Sequence, residues 1–383
     1  MKYSEARRKA TDILLGAGIE EAEVDAEYLL QHASGLERSE LFIRWNEEIP
    51  DDIERKYADL IERRRSHEPL QYIIGNQDFM GYTFMVTPDV LIPRFDTEIL
   101  AEHAIKRAME DILRRDFLES KDNTSDIGSI AGEDNVSNAI RNSYSNSNNI
   151  INIDSKNINN LENTETYKIL DLCTGSGCVA TSIGLGLAER LSRSIRKQSI
   201  KIDVTGADIS PAAVNLANKN WQFNHHDNTV EHRIFGSSDS NSNISEINPC
   251  EYNADKKNVS RINTDVTSKF IESDLFSNID GKFHLITANP PYIVRNEIET
   301  LMPEITEHEP HLALDGGEDG MDFYRKIVRE APAYLYPGGR LMMEFDDLEA
   351  EPVAEMMKIT GFTEIEIHRD LAGLRRVIEG TYQ

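Results

Sequence analysis

The apolar run Phe283-His284-Leu285-Ile286-Thr287-Ala288 passes without a break into Asn289-Pro290-Pro291-Tyr292. The run reads as a buried strand, and it must stop there. Proline has no N–H to give to a ladder and holds its own φ, so two in succession end a strand and stiffen the loop after it. A second signal lies upstream. The short apolar run Lys168-Ile169-Leu170 leads into Asp171-Leu172-Cys173-Thr174-Gly175-Ser176-Gly177-Cys178. Glycines directly after a strand let a ligand approach the backbone and meet the N–H groups that open the next helix.

The chain between and beyond these signals alternates. A strand at 168–172 is followed by the glycine loop and a helix through about Arg196. Ile202 to Ala207 reads as a strand ending at Asp208, and Ser210-Pro211 opens a helix that reaches Trp221, with proline in the first turn. Phe270-Ile271 is a short strand ending near Asp274. A helix from Met321 to Leu335 reaches Gly338-Gly339, and Arg340 to Phe345 is a further strand. Phe362 to His368 and Leu374 to Ile378 can close the chain as a β pair. The rhythm predicts an α/β fold with a mostly parallel, Rossmann-like sheet and helices on both faces.

The first 67 residues follow a different pattern. Four short helices are expected, the last running from the acidic Asp51-Asp52 to the basic Arg63-Arg64-Arg65, which suits the helix dipole at both ends. They read as a small helical bundle over 1–67. Residues 68–96 read as a hairpin-like connector, with Gln71–Gly75 and Tyr82–Val86 as its strands. The larger domain is expected over 97–383, opening on a helix from about Thr97 to Arg115. Two Asn- and Ser-rich stretches, about 119–166 and 236–262, have little apolar periodicity and are expected as surface insertions.

Composition excludes several classes. No apolar run reaches the ~18 residues that a membrane span needs, and the helical pattern of Met1 to Arg8 has no signal-peptide core, so a cytoplasmic protein is expected. The three cysteines, Cys173, Cys178 and Cys250, make neither a disulfide framework nor a zinc spacing. His308 and His311 lack a third ligand at convincing spacing, so no metal is expected. A formal net charge of −26 argues against a life on nucleic-acid phosphates, which are bound by Lys and Arg.

The strand ends carry the chemistry. Gly175 and Gly177 do not complete a dinucleotide fingerprint, and an acid before the loop is awkward for a phosphate. It suits the cationic amino-acid part of S-adenosylmethionine. Asp208, ending the next strand, can take two ribose hydroxyls or cap the helix at Ser210, and Asp274 is expected near the adenine edge or as an ordinary surface acid. A planar amide or amine nitrogen is a poor nucleophile, because its lone pair is delocalised. If the Asn289 side-chain oxygen and the Pro290 carbonyl each accept one of its N–H groups, the lone pair is held facing a methyl donor. Tyr292 offers a face on which the planar group can stack.

These pieces resemble the HemK/PrmC family, methyltransferases that modify the glutamine of the Gly-Gly-Gln tripeptide in peptide chain release factors. The resemblance rests on Pro69 to Gly75, Leu91-Ile92-Pro93-Arg94-Phe95-Asp96-Thr97-Glu98, the glycine loop and Asn289 to Ile293. Glu309-Pro310-His311-Leu312-Ala313-Leu314, Asp315 to Gly320 and Asp370 to Gly373 extend it over nearly all the chain except the two insertions. The resemblance implies a class I S-adenosylmethionine-dependent methyltransferase with a small N-terminal helical domain that grips the release factor. It implies that Cys173, Thr174, Gly175, Ser176, Gly177, Asp208, Asp274, Leu275 and Asn289 meet the cofactor. It implies further that Asn289, Pro290, Pro291 and Tyr292 hold the glutamine amide, with Asn289, Pro290 and Tyr292 carrying catalysis. A monomer acting without nucleic acid or membrane is expected. The Asn-Pro-Pro-Tyr run is shared with DNA adenine methyltransferases, so a DNA or RNA adenine enzyme is the rival reading. Phe95 stands where the family usually has proline, and Glu344-Phe345-Asp346-Asp347 replaces a more usual Glu-Ile-Gly stretch. Arg94 reads equally as a closing residue or as a salt bridge.

Overall fold

The computed structural model describes residues 1–122, 165–193, 200–226 and 265–383. The two expected insertions fall almost wholly outside these residues, as does Cys250. Residues 119–122, assigned from sequence to the first insertion, continue a helix instead. Among the described residues no helix is long and apolar enough to cross a membrane.

Two compact units are distinguished. The first contains Met1–Pro93 and Pro291–Gly320. Its helices are α1 (Tyr3–Gly16), α2 (Ala22–Ser34), α3 (Arg38–Ile43), α4 (Asp51–Arg65) and α5 (Leu70–Ile74). Apolar residues at helical spacing, among them Ala6, Ala10, Leu14, Leu29, Leu30, Leu60 and Ile61, close on one core. Ile73 of α5 joins that core. The Tyr57 hydroxyl donates to the Ala26 carbonyl at 2.8 Å, which ties α4 to α2.

The segment Gln71–Gly75, expected as a strand, is therefore helical. Pro69 precedes it with a preset φ and Gly75 ends it in the left-handed region at φ 85°. These start and stop signals outweigh the β preference of Tyr72-Ile73-Ile74. The hairpin forms one step later, as β1 (Asn76–Phe79) and β2 (Tyr82–Met85). Its two-residue turn, Met80-Gly81, is left-handed at both positions, the form that matches strand twist.

Arg64 also departs from expectation. It serves as more than a dipole charge at the end of α4. It is only 7% exposed and reaches Asp25 at 2.7 Å and Glu304 at 3.0 Å.

The second unit is built on a seven-stranded sheet of order β5-β4-β3-β6-β7-β9-β8. Its strands are β3 (Glu165–Leu172), β4 (Ile200–Asp208), β5 (Asp265–Glu272), β6 (Phe283–Ala288), β7 (Leu335–Glu344), β8 (Phe362–Arg369) and β9 (Arg375–Tyr382). β5 through β7 run parallel, and β9 and β8 close the edge antiparallel. This is the mostly parallel α/β sheet predicted from sequence. β6 is buried at every position, as its unbroken apolar run requires. β5 begins five residues before Phe270, and β7 begins at Leu335, with its register to β6 slipping around Tyr336–Gly339.

Helix α6 (Glu98–Asp122), the helix Pro211–His226 as far as Trp221, and the helices Cys178–Arg193, Asp322–Tyr334 and Ala350–Ile359 complete the unit. The last of these had no counterpart in the sequence reading.

Glu379 of β9 is fully buried and is the anchor of the antiparallel edge. Arg107 of α6 donates to both its oxygens, at 2.8 and 3.0 Å, and His368 of β8 lies at 2.9 Å. Burial alone would raise this carboxyl, but the hydrogen bonds from His368 and Arg107 outweigh it and hold it at about 2. Glu366, His368 and Glu379 are spaced as metal ligands could be, yet the Arg107 guanidinium already takes oxygens of both glutamates.

Breaking a buried pair leaves the other charge stranded, so Glu379→Ala is expected to destabilise the fold by about 3 kcal/mol in urea titration at pH 7. The native carboxyl lies below its ordinary 4.5, so this stabilisation is complete above that value and is lost as pH falls toward 2. The variant's stability should accordingly decline less than the parent's over that interval.

Candidate functional site

The strand order reverses at β3, which has β4 on one side and β6 on the other. In an open parallel sheet such a switch point leaves a crevice at the carboxyl ends of the strands. The register sets what meets there. Leu172 lies opposite Ala207 in β4 and opposite Ala288 in β6. The glycine loop after Leu172, Asp208 after Ala207 and Asn289 after Ala288 therefore leave the sheet side by side, about 4.8 Å apart strand to strand.

The loop is locked by backbone bonds. Thr174 N–H donates to Ala207 O at 3.0 Å, and Gly177 N–H to Thr174 O at 2.8 Å. Cys173 takes a left-handed φ of 54°, costly for a residue with a Cβ. At Gly177 the backbone is left-handed too, and a Cβ there would stand 2.9 Å from that of Ala217. Glycine lets the helix Pro211–His226 pack against the loop. From that helix the buried Asn220 side chain donates to Ser176 O at 2.9 Å.

Asp171 is turned inward. Its oxygens accept from Thr174 Oγ1 at 2.6 Å and Thr287 Oγ1 at 2.8 Å. Burial pushes its carboxyl up to about 6 against those two bonds. The sequence reading gave this acid to a ligand's cationic end, whereas the geometry makes it a brace between β3, β6 and the loop.

Asp208 is the hub of the next two strand ends. Oδ2 accepts from Gly175 N–H at 2.8 Å and Oδ1 from Ser210 N–H at 2.9 Å. Its own carbonyl accepts from Ser273 N–H at 2.8 Å. Ser210 Oγ takes the Ala213 N–H at 3.3 Å, so the capping role falls to Ser210. A carboxylate offers about four lone-pair directions, and the backbone N–H groups of Ser210, Gly175 and Ile209 all draw on this one. After β5, Ser273 Oγ donates to Leu275 O at 2.7 Å and Leu275 is left-handed at φ 49°. Asp274, exposed, sits on this turn.

The electrostatics are one-sided. The Cys173 thiol is pushed well up by burial and then by Asp208, Asp171 and Asp274 together. Three carboxylates converging on one loop repel a pyrophosphate and favour a cationic ligand. This set of carboxylates thus fits S-adenosylmethionine, whose sulfonium and ammonium are both positive.

At the end of β6, Asn289 Nδ2 donates to Thr97 Oγ1 at 3.1 Å. Thr97 is buried and follows the Ile92-Pro93-Arg94 segment, where Thr97 N–H donates to Arg94 O at 3.1 Å. Burial pushes the Glu344 carboxyl, at the end of β7, up to about 7 against hydrogen bonds from Thr97 and Asn289. Asn220, Thr287, Thr97 and Glu344 were given no role at the site from sequence. The available signal was a polar residue on an otherwise apolar helix face or strand.

Within the first unit, the residues after Pro291 are clamped by a second loop. Ile293 N–H donates to Leu314 O at 3.0 Å, Gly316 N–H to Ile293 O at 2.9 Å and Arg295 N–H to Gly317 O at 2.9 Å. A Cβ at Gly316 would lie 2.7 Å from the Tyr292 backbone. The Glu309–Gly320 motifs thus have a local task, which is to fix the course of the chain at Tyr292. His308 lies 3.3 Å from Ser66 O through Nε2.

A family model described as the PrmC N-terminal domain matches residues 5–75, and one described as Eco57I restriction-modification methylase matches 203–343. A release factor glutamine methyltransferase from Geobacter sulfurreducens is 31% identical, covering 95% of this chain and 90% of its own length. One from Thermodesulfovibrio yellowstonii is 30% identical, covering 92% and 90%. A solved release factor-specific protein-(glutamine-N5) methyltransferase from Alicyclobacillus acidocaldarius is 20% identical over 78% of this chain and 99% of that one, with a TM-score of 0.31. With identity at this level along nearly the whole of both chains, the protein belongs to the release factor glutamine methyltransferase family.

Proposed function

We propose that this chain methylates the side-chain amide nitrogen of the glutamine in the Gly-Gly-Gln motif of peptide chain release factors, as a cytoplasmic monomer. The observation that carries this reading is the register placing Asn289 beside the glycine loop at the switch point of the sheet. Bound S-adenosylmethionine supplies an electrophilic methyl group on a sulfonium sulfur. Residues 173–177 would hold its amino-acid part, Asp208 its ribose, and Asp274 with Leu275 its adenine edge.

The chain's own residues orient the acceptor. Asn289 commits its NH2 to Thr97, so its Oδ1 is the atom turned to the substrate. That oxygen and the Pro290 carbonyl take the two N–H groups of the glutamine amide, and Tyr292 packs on its plane. The lone pair then faces the methyl group without rotational search, which is where the rate gain lies. The nitrogen gains a methyl and gives up one proton to water afterwards, so no base is needed before transfer.

The helical bundle of the first unit suits the grip on the release factor. On α3, Phe42 and Ile43 are 79% and 80% exposed, and Phe42 stacks on Trp45 at 6.4 Å. Such residues are unusual on a bare surface and typical of a protein interface. The match to a restriction-modification methylase model keeps adenine in DNA as the second reading, and the charge of −26 opposes it.

Four outcomes are expected. Incubation with a recombinant release factor and labelled methyl donor should place one methyl on the Gly-Gly-Gln glutamine by mass spectrometry, and none on duplex DNA. Label on adenine would reverse the substrate assignment. Asn289→Ala should lose turnover while calorimetry shows cofactor affinity little changed. Asp208→Ala should weaken the cofactor by roughly 1.5–3 kcal/mol, the value of a charge-assisted hydrogen bond. Phe42→Asp combined with Ile43→Asp should raise KM for the release factor by about tenfold, an interface anchor's contribution, and leave the cofactor constant alone.

A further inference from the structure

We infer that Thr97 and Glu344 are positioning residues that set which face of the Asn289 amide meets the substrate. The inference rests on the reading of Asn289 as acceptor for the glutamine N–H.

An asparagine side chain is nearly symmetric in shape, with an acceptor on one side and a donor on the other. Packing alone cannot choose between them. If the NH2 faced the site, it would meet the NH2 of the substrate amide, donor against donor. The choice must come from hydrogen-bond polarity. An ionised carboxylate only accepts, and a hydroxyl has one proton to give. Thr97 and Asn289 are the side chains whose polar groups favour the charged form of the buried Glu344 carboxyl. Once the Thr97 proton goes to Glu344, Thr97 Oγ1 can only accept from Asn289, and it does so from Nδ2 at 3.1 Å. Thr97 Oγ1 therefore holds the NH2, the Glu344 carboxylate favours that polarity, and Oδ1 is turned away from both.

Glu344 is poorly explained as a structural residue. It is 3% exposed, and its Oε2 is buried with no hydrogen-bond partner. A buried oxygen left unpaired costs stability. The groups facing the carboxyl are Asp96, Arg376 and the Cys178 thiol. Arg376 is shared with Asp96 at 3.4 Å, Asp346 at 3.6 Å and Asp370 at 3.1 Å, so little of its charge serves Glu344. Burial leaves the carboxyl near 7, ionised above that value and protonated below it. When protonated, it can donate, the polarity of the chain can reverse, and Asn289 is free to turn.

The test is kcat and KM against release factor from pH 6 to 9, with cofactor affinity and melting temperature, for the parent, Thr97→Val, Thr97→Ser, Glu344→Gln and Asn289→Ala. Thr97→Val should lose about tenfold in kcat, the value of one hydrogen bond, with cofactor affinity unchanged. Thr97→Ser should restore it. The parent's kcat should fall as pH drops below about 7, and Glu344→Gln should remove that limb, lower kcat and leave the melting temperature equal or higher. If Thr97→Val and Glu344→Gln keep the parent's kcat and pH profile while Asn289→Ala is inactive, the inference is wrong and the reading of Asn289 stands. If Asn289→Ala is fully active, the underlying reading fails. Loss in Thr97→Val that Thr97→Ser does not rescue, with a lower melting temperature and weaker cofactor binding, would make the pair merely structural.

Discussion

Parallel pairing of β3 with both neighbours is the constraint from which the site follows. Leu172 faces Ala207 and Ala288 in one row, and the residue after each partner is a polar group with a task. A slip of one residue along β4 would turn Asp208 to the other face, because side chains alternate along a strand. Each strand end is then tied to the next through backbone. Thr174 N–H reaches Ala207 O, and Ser273 N–H reaches Asp208 O. Gly175 N–H bonding to the Asp208 carboxylate adds a side chain to the same seam. The arrangement is rigid before any ligand arrives, which lowers the entropy lost on binding.

Two glutamates on adjacent strands show how the same side chain is put to different uses. Glu379 of β9 has a guanidinium and an imidazole against it and is held at about 2. Glu344 of β7 has neutral donors and a distant, shared arginine, and stands near 7. Burial acts on both in the same direction. Partner charge decides the outcome. One glutamate secures the sheet edge, and the other is kept at a cost to stability beside Asn289.

The legible parts of the chain were those whose signals are local. β6 was read to the residue from its unbroken apolar run, and the end of β4 at Asp208 from the Ser210-Pro211 helix start. The four polar residues that hold the site were not legible, for one reason. Asn289 and Thr97 are 192 positions apart, Thr287 and Asp171 are 116 apart, and no spacing rule joins them. Their partners are created by sheet order, which sequence periodicity does not encode. The misreading of Gln71–Gly75 was different in kind. There the signals were local, and the punctuation by Pro69 and Gly75 outweighed the intrinsic preference of the residues between.

The strands β3, β4 and β5 begin at Glu165, Ile200 and Asp265. These strands are parallel, so all three entries fall on the edge of the sheet opposite the glycine loop, Asp208 and Asn289. Length added or removed there alters how the chain arrives at a strand and leaves untouched where it departs. The fold thereby separates two kinds of change: a change of chain length is absorbed at one rim, while register holds the polar strand ends in place at the other.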